Sequence, residues 1–289
     1  MQSLDSFHKT KDFLVCFDSD GCVMDTMTSK HKYCFGPRMI SEWDLDRWHD
    51  SLLHRWCEIN LYSSTRGINR FRGLAIMLRE INDSYSRIDG LEDLLDWVEG
   101  GDELSNGALK AEIARKPDSK ILKKTLSWSI AANKDASELP MENKLPFPCA
   151  REAVEISHYH ANVALLSSAD PSALSEEWKN QDMAQLVDVM LSQNDGKKEK
   201  CLKRLIKKGY SHDRVIMCGD SPGDLAAAEA AGVFFFPIIF NKEEKSWDEF
   251  IFEGLPKLIS FGYGGEYQEK KIREFKENMK SEEKINGKS

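Results

Sequence analysis

Two acidic pairs in this 289-residue chain are spaced for chemistry. Asp18 and Asp20 stand one residue apart, ahead of Gly21, directly after the apolar run Phe13-Leu14-Val15-Cys16-Phe17. Asp220 and Asp224 lie in Gly219-Asp220-Ser221-Pro222-Gly223-Asp224, directly after Val215-Ile216-Met217-Cys218. Carboxylates this close repel each other unless a proton or a cation resolves the conflict. Mg²⁺ resolves it well, because that ion takes a few carboxylates together with water and phosphate oxygens. Either pair alone reads as a turn or a helix cap. Two pairs that each follow a buried-strand pattern would meet at one sheet edge, and that convergence is the main physical argument for a site.

Two further positions suit an anion. Ser167 closes the apolar run Val163-Ala164-Leu165-Leu166 and offers a hydroxyl and a backbone N–H to a phosphate oxygen, with Ser168 as the competing position. Lys197 and Lys198 follow Asp195-Gly196 at the start of a helical pattern, where an ammonium adds to the N–H groups of a helix N-terminus. Lys198 is preferred, because it precedes Leu202 by four residues, on the side of the helix expected to face the sheet.

Positioning these residues takes a parallel sheet. Four short, apolar, β-branched or aromatic runs read as buried strands: Phe13 to Phe17, Val163 to Leu166, Val215 to Cys218 and Val233 to Phe236, with Leu186 to Leu191 a weaker fifth. Helical patterns lie between them at Ala150 to Tyr159, Lys198 to Lys208 and Leu225 to Ala231. Strands alternating with helices over 148–240 imply an α/β, Rossmann-like parallel sheet with right-handed crossovers. Such sheets carry their ligand sites at the C-terminal ends of the strands. The first strand joins from a great sequence distance.

The intervening stretch, about 29–146, has helical spacing and no strand pattern. Trp43, Leu45, Trp48, Leu52, Leu53, Trp56 and Ile59 predict one helix, with Ser41 and Asp44 as a capping box at its start. Phe71, Leu74, Ala75, Leu78 and Ile81 predict a second, Leu91 to Val98 a short third, and 119–132 another. At this spacing the tryptophans are core residues rather than a sugar-stacking platform. Pro140 to Pro148 reads as a return linker, and the Lys- and Glu-dense Glu266 to Ser289 as an exposed, fraying helix.

Bulk composition narrows the class. An apolar fraction of 41% supports a real core, and a formal charge of -8 argues against a general nucleic-acid binder. Seven cysteines without a CxxC pair favour reduced thiols. The N-terminal residues lack the pattern of a signal peptide, and no apolar run approaches the ~18 residues of a membrane span. The expectation is a soluble, cytoplasmic protein with neither nucleic acid nor membrane as partner.

Asp18-Ser19-Asp20-Gly21, Ser167, Lys198 and Gly219-Asp220 with Asp224, in that order, resemble the four motifs of the haloacid dehalogenase (HAD) superfamily. The resemblance covers residues 12–28 and about 148–240, and the helical insertion resembles the superfamily's C1-type cap. It implies a discontinuous core of 1–28 and 147–265, a cap of 29–146, and a charged C-terminal helix or tail at 266–289. It also implies roles. Asp18 would attack phosphorus and form an aspartyl-phosphate. Asp20 would protonate the leaving oxygen and later deprotonate water. Asp18, the Asp20 backbone carbonyl and Asp220 would bind Mg²⁺ with Asp224 orienting that set, while Ser167 and Lys198 would neutralise the transferring group. Members that displace halide lack an acid at the position of Asp20, so the resemblance points to phosphoryl transfer onto water from a small phosphorylated substrate. A phosphomutase, a phosphonate hydrolase (with Lys30 as a Schiff-base candidate) and a non-catalytic binding protein are the alternatives. Substrate choice is expected within the cap, where Arg66 and Arg70 in Ser63-Ser64-Thr65-Arg66-Gly67-Ile68-Asn69-Arg70 could meet an anionic or hydroxylated substrate.

Overall fold

The computed structural model describes residues 4–101 and 103–286, with side chains through 279. Five apolar segments form one parallel sheet: β1 (Leu14–Phe17), β2 (Asn162–Leu166), β3 (Val189–Leu191), β4 (Val215–Gly219) and β5 (Phe234–Pro237). Their spatial order is β3-β2-β1-β4-β5. The chain lays β2 and β3 to one side of β1, then crosses back to lay β4 and β5 on the other. Reversal of strand order leaves a crevice at the C-terminal ends of the central strands. The weak fifth strand contributes only its last three residues, because Ala184–Leu186 turns as a 3-10 helix.

Alternate residues of each strand enter different cores. Val15, Phe17, Val163, Leu165, Ile216, Cys218 and Phe236 pack on one face with Leu174, Trp178, Trp247 and Phe250. Leu14, Cys16, Ala164, Leu166, Val215, Met217 and Phe235 pack on the other with Leu202, Leu205, Leu225 and Ala228. Burial on both faces is why these strands read as unbroken apolar runs. Full burial of each large apolar side chain contributes about 1.5–3 kcal/mol. All seven cysteines carry free thiols.

The chain divides into two compact units: the sheet with its helices, made of residues up to 27 and 141–284, and an inserted unit of 28–140. The return segment therefore belongs to the sheet unit, not to the insertion as expected for 29–146. Its backbone is paired: the Asp25 N–H donates to the Leu145 carbonyl at 2.9 Å and the Phe147 N–H to that of Val23 at 2.9 Å. Pro140 to Pro148 is thus not a free linker. Residues 266–284 likewise join the sheet unit. Glu266–Asn286 is a helix in which Phe275 and Met279 are buried against the second core. The expected exposed helix thus has one packed face, which the surrounding Lys and Glu hid. Residues 287–289 of that tail lie outside the described residues.

The insertion is helical, with Gly36–Glu42, His49–Cys57, Arg70–Ser84, Leu91–Gly100, Asn106–Arg115 and Lys120–Ser137 as its longer helices and no strand among the described residues. The single helix expected from Trp43 to Ile59 does not form. Ser41 lies inside Gly36–Glu42, and Asp44 adopts a left-handed φ of 57°, so the chain breaks before restarting at His49. Trp43 and Leu45 are still buried, which shows how a buried break can imitate helical periodicity. Trp56, Phe71 and Trp97 meet edge to face with Trp128 or one another, at centroid distances of 5.9 Å for Trp56–Trp128 and 5.1 Å for Phe71–Trp97. The Trp128 N–H donates to the Phe35 carbonyl at 3.1 Å. Among the described residues no helix is long and apolar enough to cross a membrane.

Candidate active site

Register places the first acidic residue. Phe17 pairs with Leu165 on one side and Cys218 on the other, so Asp18 leaves the sheet where β2 and β4 end. Its N–H still donates to the Cys218 carbonyl at 3.0 Å, and its own Oδ1 accepts from the Ser19 N–H at 2.8 Å. The chain then turns sharply. Gly21 sits at a φ of 81°, a conformation glycine reaches without steric cost. Its N–H donates to the Met24 carbonyl at 2.9 Å, while the Met24 N–H returns to the Ser19 carbonyl at 2.9 Å. The Thr26 hydroxyl donates to the Asp20 carboxylate, so that side chain is held toward the loop.

The second acidic pair is built by a helix cap. Ser221 caps Pro222–Ala231, and its hydroxyl donates to Asp224 Oδ2 at 2.7 Å while accepting from the Asp224 N–H at 3.3 Å. This capping box folds Asp224 back over the end of β4. The approach is so close that a Cβ on Gly219 would lie 2.4 Å from the Asp224 Cβ. Only glycine at 219 leaves that space.

On the other side of β1, the Ser192–Asp195 capping box and Gly196 at a φ of 100° lead the chain to Lys198, first residue of Lys198–Ile206. The ammonium of Lys198 lies 2.7 Å from Asp18 Oδ1 and 2.5 Å from Asp224 Oδ1. Lys197 is the N-cap residue and is exposed. Ser167 ends β2, nearly buried, its N–H on the Leu191 carbonyl at 2.9 Å and its hydroxyl oxygen accepting from the Ala169 N–H at 3.1 Å.

The structure thus brings Asp18, Asp220, Asp224 and Lys198 together. Asp18, Asp220 and Asp224 are all buried, and one carboxylate oxygen from each lies within 4.8 Å of the others. Burial pushes the Asp18 carboxyl well above the usual carboxylate range; Lys198 pulls it down, and Asp224 and Asp220 push it up further. Burial works against the Lys198 ammonium, but Asp18 and Asp224 outweigh it and hold the lysine above its ordinary value. Crowded, buried, hard oxygen donors of this kind fit a divalent cation such as Mg²⁺. The Asp20 carboxylate is not part of this trio, so a metal role for Asp20 is left to its backbone carbonyl.

Arg66 and Arg70 make contacts within the insertion. Arg66 is 3% exposed and donates to the Leu61 carbonyl at 2.9 Å. Arg70 donates to the Ser129 hydroxyl at 2.9 Å and to Asn106 Oδ1 at 3.3 Å, with its guanidinium over the Phe71 ring. Both guanidinium groups hold the insertion together, a use that the polar, Gly-containing sequence around them did not signal. Sequence reading also missed three contacts of the 18–26 loop: Thr26 on Asp20, the Trp178 N–H on Ser19 Oγ at 2.9 Å, and the Trp247 N–H on the Cys22 carbonyl at 3.2 Å. Trp178 lies in Pro171–Asn180 and Trp247 is the one apolar residue of Glu243–Glu249, so neither local sequence signals its bond to the loop.

A family model described as haloacid dehalogenase-like hydrolase matches residues 132–238, which include Ser167, Lys198, Asp220 and Asp224. No curated protein matches the chain. Among solved structures, a hydrolase of the haloacid dehalogenase-like family from Streptococcus pneumoniae is similar at a TM-score of 0.50 and 11% identity, over 81% of this chain and 90% of that one. A haloacid dehalogenase-like family hydrolase from Xanthomonas campestris gives 0.49 and 13%, over 89% and 95%. The likeness to the Streptococcus protein extends the shared fold beyond the matched segment, to a parallel sheet with inserted helices. Over residues 132–238 the chain is thus similar to the haloacid dehalogenase-like hydrolases, and it shares its fold with the Streptococcus protein.

Proposed function

We propose that this hydrolase is a Mg²⁺-dependent phosphatase that removes phosphate from a small phosphorylated molecule through an aspartyl-phosphate on Asp18. One observation carries the reading: three buried carboxylates converge at the strand ends with one lysine bridging two of them. A binding module gains nothing from so costly a cluster, whereas phosphoryl transfer needs a nucleophile amid concentrated positive charge.

Asp18 attacks phosphorus; its carboxylate oxygen forms the new O–P bond as the bond to the leaving oxygen breaks. Asp20, oriented by the Thr26 hydroxyl, gives its proton to that leaving oxygen. In the second half-reaction Asp20 takes a proton from water, the water oxygen bonds to phosphorus, and Asp18 is released as carboxylate. Lys198 favours the ionised form of Asp18 and offsets negative charge on the transferring group. Ser167, whose N–H is held by the Leu191 carbonyl, offers its hydroxyl to a non-bridging oxygen. Asp18, Asp220 and the Asp20 carbonyl would hold Mg²⁺, with Asp224 orienting that set; when bound, the ion supplies charge neutralisation to the phosphoryl oxygens. Asp18 is 7% exposed, and such burial of the reacting carboxylate supports a small substrate over a folded one.

Phosphate release from a panel of phosphorylated metabolites, with Mg²⁺ or with a chelator, tests the proposal. Release should require Mg²⁺ and disappear in Asp18→Asn. Absence of release from folded, Mg²⁺-loaded protein, or undiminished release by Asp18→Asn, refutes it.

A further inference from the structure

We propose that Trp178 is a positioning residue for the reaction, setting the geometry of Asp18 and Asp20 through a hydrogen bond to Ser19. This inference rests on the phosphoryl-transfer reading of those two carboxylates. Ser19 stands between them, so its backbone fixes the angle at which one carboxylate is presented relative to the other. It is fully buried and held at several points: its carbonyl accepts from the Met24 N–H at 2.9 Å and the Cys22 N–H at 3.3 Å, and its Oγ accepts from the Trp178 N–H at 2.9 Å. The Trp247 N–H fixes the same loop further on, at the Cys22 carbonyl.

The Trp178 contact spans 159 residues of sequence and is a buried polar pair inside an otherwise apolar core. An apolar pair of similar shape would fill that space with no N–H to desolvate. Stability alone therefore does not call for a serine at 19 opposite an indole. Geometry does, because a misplacement of about 1 Å at a reacting group can cost about a hundredfold in rate. The indole is itself rigidly placed. Its helix, Pro171–Asn180, is capped by Asp170, whose side chain accepts from the Ser172 N–H at 2.9 Å. That helix begins just after Ser167-Ser168-Ala169, so one rigid element joins the proposed phosphate-binding serine to the loop of the nucleophile.

The test uses Trp178→Phe, which keeps a ring and removes the donor, Ser19→Ala, which removes the acceptor, and the double variant. Each single change should lower kcat about ten- to a hundredfold with KM little altered, and the double should be no worse than either single, since both break one bond. Two readouts are independent of turnover. The midpoint for Mg²⁺ in a thermal-shift titration should rise several-fold in each variant. In the NMR spectrum, the indole N–H signal that Trp178→Phe deletes should lose its protection from solvent exchange in Ser19→Ala. Wild-type kcat in both variants, multiplied effects in the double, or an indole signal indifferent to Ser19→Ala overturns the proposal. A wild-type protein that releases no phosphate sinks the phosphatase reading instead, while the indole signal and the Mg²⁺ midpoint still decide the clamp. Ser19→Ala, the smaller change, carries the test if Trp178→Phe does not fold.

Discussion

Replacing Lys198 with methionine tests the electrostatics of the site without touching a carboxylate. Its ammonium bridges Asp18 and Asp224 at 2.7 and 2.5 Å, and the change leaves three buried carboxylates whose oxygens lie within 4.8 Å of one another. At that separation and an effective dielectric constant of about 20, each like-charged pair repels by ~3.5 kcal/mol. Removing one partner of a buried ion pair costs about 3–5 kcal/mol, which lowers the melting temperature by about 6–20 °C at ~2–4 °C per kcal/mol. The loss should depend on pH with a definite sign. The Asp18 carboxyl is already raised in the folded state, by burial first and by its neighbours, and loses its main counter-pull in the variant. A raised carboxyl makes the folded state hold more protons than the unfolded one. Its contribution is therefore fully present below the ordinary carboxylate value, about 3.9, and is lost as pH rises through the raised value. Differential scanning calorimetry without Mg²⁺ should show Lys198→Met falling further below wild type at pH 8 than at pH 5. Millimolar Mg²⁺ should narrow the gap, and so should adding Asp224→Asn, which removes one of the repelling charges. A Mg²⁺-free Lys198→Met protein as stable as wild type at pH 8 would refute the reasoning.

Three further outcomes are expected. Gly219→Ala should lower stability by about 1–3 kcal/mol, the usual cost of overpacking, and raise the Mg²⁺ midpoint in a thermal-shift titration, because its Cβ displaces Asp224; an unchanged midpoint would show that Asp224 does not orient the metal set. Thr26→Val should reduce kcat about tenfold or more, within the ~10²–10⁴-fold worth of a general acid, while leaving Mg²⁺ affinity alone, since the hydroxyl acts on the Asp20 side chain. Phe275→Ala should cost about 3–5 kcal/mol by denaturant unfolding, as Phe275 is 2% exposed and 5.5 Å from the Phe235 ring; a loss below 1 kcal/mol would return the C-terminal helix to the solvated role its composition suggested.

The sheet was legible because burial on both faces removes ambiguity. Leu14–Phe17, Asn162–Leu166 and Val215–Gly219 are runs too short for helices and too apolar for loops, and their polar stops mark the strand ends. The insertion was legible only as helical. Trp43 and Leu45 kept the helical period through a turn that is buried without being helix, and nothing in the side-chain pattern marks the left-handed Asp44. The C-terminal helix failed for the opposite reason. Ile272, Phe275 and Met279 do recur at helical spacing, but the charges crowded around them made the segment read by composition as solvated.

At the site, legibility follows the range of each contact. Asp18 and Asp220 could be placed from sequence because parallel register, set by backbone hydrogen bonds, carries the ends of β1 and β4 to one edge whatever the side chains do. Asp224 and Lys198 follow almost as directly, since a capping box and a helix start fix them within a few residues of their strands. For Arg66 and Arg70 the sequence is silent between uses, because a guanidinium on a polar loop has the same local sequence whether it serves a ligand or a buried carbonyl, and only the fold supplies Leu61, Ser129 and Asn106. The Trp178–Ser19 bond is the limiting case. Its partners are 159 residues apart, each is unremarkable locally, and neither register nor capping brings them together. In the proposed reaction, contacts of that kind set how closely the nucleophile and the acid are held, so the residues that would tune its rate are those the sequence pattern hides, while those proposed to perform the chemistry stand in plain view at the strand ends.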